Sequence, residues 1–188
     1  MLRRKNRGRR NDIEKIRVPR SPLRRRLNPM TAPPPLIDLE IDKMRRSDLP
    51  AVMEIERQSF SHPWSEAGFR DAIVHPNPHV YFLVARHQRR PIAFINFWIV
   101  ETEAHIANFA VAPAHRQMGV GKYLLMHSLA YIKALGGQEV FLEVRVSNVP
   151  AQNLYRQFGF ELIAVRRGYY TDNNEDAYVF ALRLDACT

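Results

Sequence analysis

Three stretches of this chain hold groups that can bind an anion or move a proton. They are Arg116-Gln117-Met118-Gly119-Val120-Gly121-Lys122, Glu143 within Leu142-Glu143-Val144-Arg145, and Tyr155 within Asn153-Leu154-Tyr155. Glycines just ahead of a helix let several backbone N–H groups converge on an anion, and the helix dipole adds its positive end. A pyrophosphate suits such a place. So does a tight strand-to-helix turn with no ligand, because the stretch is neither the dinucleotide fingerprint nor the Gly-rich ATP loop. Glu143 lies in an otherwise apolar strand, where it can serve chemistry, pair with Arg145 or face solvent. Tyr155 falls on an apolar helical stripe, where a tyrosine is also at home as a core residue. The seven histidines do not converge: His75 and His79 are separated by Pro76 and Pro78, so no helix presents them together, and no metal is expected.

The elements that carry these groups can be read from periodicity. Ile37, Leu39 and Ile41 alternate with acids as in a half-buried strand. Ser47 or Asp48 then caps a helix with Leu49, Val52, Ile55 and Ser59 on one face. Phe60 to Ser65 breaks the pattern, and Ser65 caps a short helix carrying Phe69 and Ile73. Strands Val80 to Ala85 and Ile92 to Val100 form a hairpin across the turn His87 to Pro91, and a further strand runs from Ala104 to Val111. A helix from Val120 to Leu135 stops at Gly136-Gly137. Val140 to Val144 is strand-like, and Val149 to Phe158 is a helix ended by Gly159. Two last strands, Glu161 to Arg166 and Ala177 to Leu184, flank a loop from Arg167 to Asp176. The order βααβββαβαββ implies an α/β layered sheet of mixed direction.

Length and charge bound the organisation. A chain of 188 residues suits one domain plus an appendage, and 46% hydrophobic residues can bury a real core. The longest apolar run, Ile92 to Val100, is less than half of the roughly 20 residues that span a bilayer, so no membrane contact is expected. The one cysteine, Cys187, excludes intrachain disulfides and cysteine-rich zinc sites. A reducing, cytoplasmic location fits, and no signal-peptide segment stands near the start. Residues 1–36 hold 12 Lys/Arg and two acids, a net +10, whereas the remainder is at −1. With six of the 13 prolines and no apolar periodicity, this tail is expected to be disordered. It reads as an electrostatic arm for RNA or the ribosome, as a solvated extension with Met30 or Met44 as later starts, or as a transit peptide.

The order of motifs adds to this reading. An R-x-x-G-x-G stretch follows a strand ending Asn108-Phe109-Ala110-Val111. L-E-V-R follows, and then Asn148-x-x-Ala151-x-x-Leu154-Tyr155-x-x-x-Gly159-Phe160. This succession resembles the GNAT acetyltransferase superfamily. Pro63-Trp64-Ser65, S-N-x-x-A-x-x-L-Y and Arg166-Arg167-x-Tyr169-Tyr170 with Glu175-Asp176-Ala177 resemble, more narrowly, the RimI family of ribosomal-protein alanine N-acetyltransferases. The likeness runs from about residue 37 to 184 and leaves out the tail.

The resemblance implies a GNAT fold over residues 37–188: a mixed, mostly antiparallel sheet with helices on both faces and a splayed cofactor cleft. It implies acetyl-CoA as co-substrate and direct transfer to an amine. Phe109, Ala110 and Val111 would pair through their backbone with the pantetheine arm. Gln117, Met118, Gly119, Val120, Gly121 and Lys122 would hold the pyrophosphate, and Asn148 would hydrogen-bond the pantetheine. Glu143 is the family's general base, needed because a free α-amine, of pKa roughly 7.7 to 8.0, is mostly protonated at pH 7. Tyr155 would protonate the departing thiolate. Phe60, Pro63 and Trp64 on one side and Tyr169, Tyr170 and Asn173 on the other would flank the acceptor's first residues. The expected acceptor is a protein N-terminus, most specifically the N-terminal alanine of small-subunit ribosomal protein eighteen. Acetylation of lysine side chains or other N-termini is the alternative within enzymes. A catalytically idle RNA-binding module is the alternative outside them, and the presence of Glu143 and Tyr155 argues against it.

Overall fold

The alternating and helical stripes of the sequence assemble into one sheet covered on both faces. A computed structural model describes residues 13–15 and 37–184. In chain order the elements are β1 (Ile13–Lys15), β2 (Glu40–Lys43), α1 (Leu49–Ser59), α2 (Glu66–Val74), β3 (Val80–His87), β4 (Arg90–Val100) and β5 (Glu103–Val111). There follow α3 (Val120–Ala134), β6 (Glu139–Arg145), α4 (Val149–Gln157), β7 (Glu161–Tyr170) and β8 (Glu175–Arg183). The strand order is β1-β7-β8-β6-β5-β4-β3-β2, antiparallel throughout except for the parallel pair β5–β6. The expected tail disorder lies outside the described residues, apart from Ile13–Lys15, which extend along the edge of β7 beside Ala164 to Arg166.

Each face has its own core. Leu124, Leu125, Leu129 and Ile132 of α3, with Tyr155 of α4, pack on Ile95, Phe97, Ile106, Leu142 and Phe180. On the other face Val52 and Ile55 of α1 and Phe69 of α2 cover Phe82, Val84, Phe94 and Ala110. Because α1 rests on β4 and β5, and Phe69 of α2 packs on Phe82 and Phe94, the segment between the two helices lies near the strand that ends at Val111.

Local expectations met tertiary context at four points. Ser65 caps α2 as anticipated, its Oγ accepting from Gly68 N–H at 3.1 Å. Asp48 begins α1 but does not cap it with its side chain, because the buried carboxylate is drawn to Arg86 Nη2 at 2.5 Å and to Arg45 N–H at 2.6 Å. The β3–β4 turn shrinks to Gln88 and Arg89, whose φ values of 49° and 65° match the twist of a two-residue hairpin. The expected loop from Arg167 to Asp176 is mostly strand. Gly168, with φ of 55°, absorbs an irregularity between Arg166 and Tyr170, so β7 and β8 pair out to Tyr170↔Glu175.

The feature that matters for chemistry is a fork. Parallel pairing of β5 with β6 runs from Glu103↔Glu139 to Ile106↔Leu142 and stops. Beyond it, Phe109 to Val111 follow β4, while Glu143 to Arg145 follow β8. The cause is visible in the β4–β5 register, which jumps from Asn96↔Asn108 to Phe97↔Ile106 and leaves Ala107 as an extra residue. Such a bulge bends and twists its strand, here away from β6.

Candidate active site

The fork exposes backbone. Ala112 N–H donates to Ile92 at 2.8 Å, and antiparallel pairs alternate, so Ala110 also faces β4. The backbone groups of Phe109 and Val111 therefore point into the gap. The Val111 carbonyl is already engaged there by Arg116 Nε at 3.0 Å, while Arg116 Nη2 reaches Ser59 Oγ at 3.1 Å. Of the three residues expected to pair with an extended ligand, Phe109 turns its N–H and C=O and Val111 its N–H into the gap, whereas Ala110 faces β4.

The glycine stretch makes the turn into α3. Gln117 and Gly119 both have positive φ, 62° and 80°, and the first helical bond is Tyr123 N–H to Gly119 at 3.0 Å. The N–H groups of Val120, Gly121 and Lys122 consequently have no intrahelical acceptor and converge at the positive end of the helix. A methyl on Gly121 would make ordinary contacts with Val111, Phe109 and Leu154 at 3.4 to 3.7 Å, and a larger side chain would crowd them, because α3 lies close to the end of β5 and to α4. Asn148 caps α4, its Oδ1 accepting from Ala151 N–H at 3.2 Å.

Across the fork, Glu143 pairs not with Arg145, two residues away on its own strand, but with Arg166 of β7. Arg166 Nη1 donates to Glu143 Oε1 at 2.7 Å and its guanidinium lies 4.3 Å above the Tyr169 ring. The charge of Glu143 also helps to raise the phenols of Tyr169 and Tyr170, though burial is the larger cause at both, and Tyr170 is pushed up to about 12. Tyr155 is 6% exposed, among the rings of Phe109, Phe160 and Phe180. Burial raises its phenol far above the ordinary value of 10. A phenol that holds its proton so tightly is a weak acid toward a thiolate of pKa about 8.5, so a donated hydrogen bond is cheaper than full transfer. Removing an apolar-walled hydroxyl costs the fold little. Tyr155→Phe is accordingly expected to keep its melting temperature and to slow turnover about tenfold, the worth of one hydrogen bond. Unchanged turnover with a large loss of melting temperature would make Tyr155 a core residue only.

The residues expected to flank the acceptor sit on two separate segments. Trp64 is 43% exposed, one edge leaning on Phe69 at a centroid distance of 5.6 Å. Phe60 is partly buried against the α1–α2 core, and Pro63 is exposed. Tyr169 and Tyr170 meet edge to face at 5.1 Å at the end of β7. Asn173 is turned into its own hairpin, accepting from Arg145 and donating to Glu175.

Four residues here were given no place in the site by the sequence, although the first three stand in its quoted motifs: Arg166, Arg145, Asn108 and Glu56. Glu56 of α1 is 0% exposed, with Oε1 accepting from Trp64 N–H at 2.9 Å and from Asn108 Nδ2 at 3.0 Å, and with Oε2 unpartnered. Asn108 N–H in turn donates to Asn96 Oδ1 at 2.8 Å, at the bulge that opens the fork. A glutamate on the buried stripe of an amphipathic helix was the available signal. Burial raises its carboxyl, so the folded chain keeps this proton to higher pH than the unfolded chain does. Its contribution to stability is full below the unfolded value of about 4.3 and is lost as pH rises through the folded one. The unfolding free energy of Glu56→Gln minus that of wild type should therefore grow with pH in denaturant titrations. A difference that shrinks would mean that the fold favours the carboxylate.

Among the described residues no group of three His, Cys, Asp or Glu is placed to hold a metal ion, and no helix is long and apolar enough to cross a membrane. The profile of the Acetyltransferase (GNAT) family matches residues 49–160. The ribosomal protein bS18-alanine N-acetyltransferase of Escherichia coli (strain K12) is 35% identical over 144 residues, which cover 76% of this chain and 95% of that protein. The crystal structure of the ribosomal-protein-S18-alanine N-acetyltransferase from Escherichia coli superposes with a TM-score of 0.72 at 32% identity, covering 80% of this chain and 97% of that one. Ard1 from Thermoplasma volcanium superposes with a TM-score of 0.73 at 27% identity, over 80% and 100% of the two chains.

Proposed function

As this chain belongs to the GNAT acetyltransferase family, we propose that it transfers acetyl from acetyl-CoA to the N-terminal α-amine of a protein, and that its acceptor is the N-terminal alanine of ribosomal protein bS18. The observation that carries the reading is the fork between β5 and β6, with Glu143 on its far arm and aromatic walls beyond it. The donor set fits acetyl-CoA. Phe109 and Val111 present backbone groups to an amide-bearing arm, and the N–H groups of Val120, Gly121 and Lys122 converge as a diphosphate requires. Acetyl-CoA supplies the acetyl group and a thiolate leaving group.

The chain's own residues do the rest. Glu143 takes the proton of the α-ammonium, and Arg166 holds one carboxylate oxygen so that the other meets no protein donor among the described residues. Deprotonating an α-amine of pKa near 8 is within reach of one carboxylate, whereas a lysine amine near 10.4 costs over two further pKa units. Tyr155, kept neutral by burial, remains a hydrogen-bond donor over the working pH range. Mass spectrometry of ribosomal proteins and short peptides after incubation with acetyl-CoA tests the reading. Acetyl on the α-amine of an alanine-first acceptor is expected. Acetyl on lysine side chains would replace it, and absence of transfer would remove it.

The basic tail is proposed to add contact with RNA or the ribosome. Deleting residues 1–36 should leave turnover of a short peptide intact, because the fork, Glu143 and both walls lie beyond it. RNA affinity should lose salt dependence, by about 0.7 to 0.9 in the log–log slope for each phosphate contact removed. Identical slopes would reduce the tail to a solvated extension. Deleting residues 1–11 alone removes six of the twelve bases and keeps β1: turnover lost only in the longer deletion would trace to residues 12–36, β1 at the edge of β7 among them.

A further inference from the structure

The two walls of the acceptor slot lie far apart in sequence, yet they meet. Ser61, between α1 and α2, and Asp172, between β7 and β8, are 111 residues apart and hydrogen-bonded, Ser61 Oγ to Asp172 Oδ2. Arg145, the last residue of β6, stands under that contact. Its Nη2 donates to Asp172 Oδ2 at 2.7 Å and to Ser61 Oγ at 3.2 Å. Its Nη1 donates to Glu175 Oε2 at 3.0 Å and to Asn173 Oδ1 at 3.1 Å. The guanidinium carbon, Cζ, lies over the Tyr170 ring, 3.9 Å from its centre. Glu175 in turn accepts from Ser147 N–H at 2.7 Å, tying the knot to the start of α4.

We propose that Arg145 is a positioning residue that locks the two walls at a set separation and so determines which first side chain the acceptor slot admits. This rests on the reading of the chain as an N-terminal acetyltransferase. A planar fork can serve two loops and a ring at once, with one nitrogen for Ser61 and Asp172, the other for Asn173 and Glu175, and its face for Tyr170. A point charge on a flexible stem cannot. Asp172 and Glu175, held down to about 2 by hydrogen bonds from Ser61 and Arg145 and from Ser147 respectively, stay ionised at any working pH, so the lock does not open by titration. With Tyr170 pinned by Arg145, a larger first residue can enter only by parting the walls, and the slot favours a small one.

Two variants test this with the full chain. R145K keeps the charge and loses the fork and the stack, and D172N weakens the bridge while leaving Glu175 and Tyr170 in place. Kinetics are measured with paired peptides that differ only in an alanine or a leucine as first residue, with melting temperature as the check of folding. Both variants should raise KM for the alanine peptide about tenfold, leave KM for acetyl-CoA unchanged, and lower the alanine-to-leucine ratio of kcat/KM about tenfold. Wild-type KM and selectivity in either folded variant would overturn the role of Arg145 while leaving the enzyme's function standing. Should R145K fail to fold, D172N decides. Wild-type protein that acetylates neither peptide's α-amine would overturn both readings together.

Discussion

Glu143→Gln is expected to slow acetyl transfer by roughly 10²- to 10⁴-fold, the usual span for loss of a general base. Acetyl-CoA affinity and melting temperature should barely move. Glutamine keeps an oxygen where Arg166 Nη1 now donates, and the side chains of the Glu143–Arg166 pair are 28% and 24% exposed. Ion pairs this accessible contribute at most about 1 kcal/mol. What glutamine cannot do is accept a proton from an α-ammonium, so the variant turns over only the fraction of amine already free in solution. Its rate should consequently climb with pH from 6 to 8 more steeply than the wild-type rate, as that fraction grows toward the amine's pKa of roughly 7.7 to 8.0. Steady-state rates over that range check the prediction. Undiminished activity throughout would show that the Glu143–Arg166 pair is structural.

Gly121→Val is expected to weaken acetyl-CoA binding by roughly 10- to 100-fold, whereas Gly121→Ala should stay within a few-fold of wild type. Alanine's methyl would make ordinary contacts with Val111, Phe109 and Leu154 at 3.4 to 3.7 Å. Valine's two further carbons would be added to a Cβ that already touches three side chains. Overpacking of this kind costs about 1 to 3 kcal/mol and is relieved by moving backbone. The backbone within reach is the first turn of α3 and the end of β5, the two segments proposed above to present N–H and C=O groups to acetyl-CoA. Losing one hydrogen bond to a charged group, about 1.5 to 3 kcal/mol, corresponds to the stated loss of affinity. Calorimetry on both variants, with thermal melts in parallel, is the measurement. Wild-type affinity in a folded Gly121→Val protein would move the cofactor site elsewhere.

Much of this architecture is written in short-range pattern. Apolar stripes at helical spacing marked α1, α3 and α4, Ser65 announced the start of α2, and Gly136 and Gly159 ended helices with φ of 93° and 87°. Those signals act within one turn of helix or one pair of neighbours, so they survive without tertiary context. The turn into α3 was legible for the same reason: Gln117 to Lys122 are contiguous, and their geometry follows from a helix beginning where two positive φ angles are needed.

What remained hidden is pairing across space. Glu143 finds Arg166, 23 residues away, and not Arg145, because β8 lies between β6 and β7 and brings the two side chains to one face while Arg145 is drawn into the β7–β8 turn. Glu56 is a buried carboxylate only because α1 lies on β5, where Asn108, 52 residues on, can reach it. The fork depends on a bulge at Ala107 that no local propensity announces, since its cause is a mismatch of register between β4 and β5. Strand order, register and the desolvation of charges arise from which surfaces meet, and an ordered list of residues carries that information only once the sheet has closed around it.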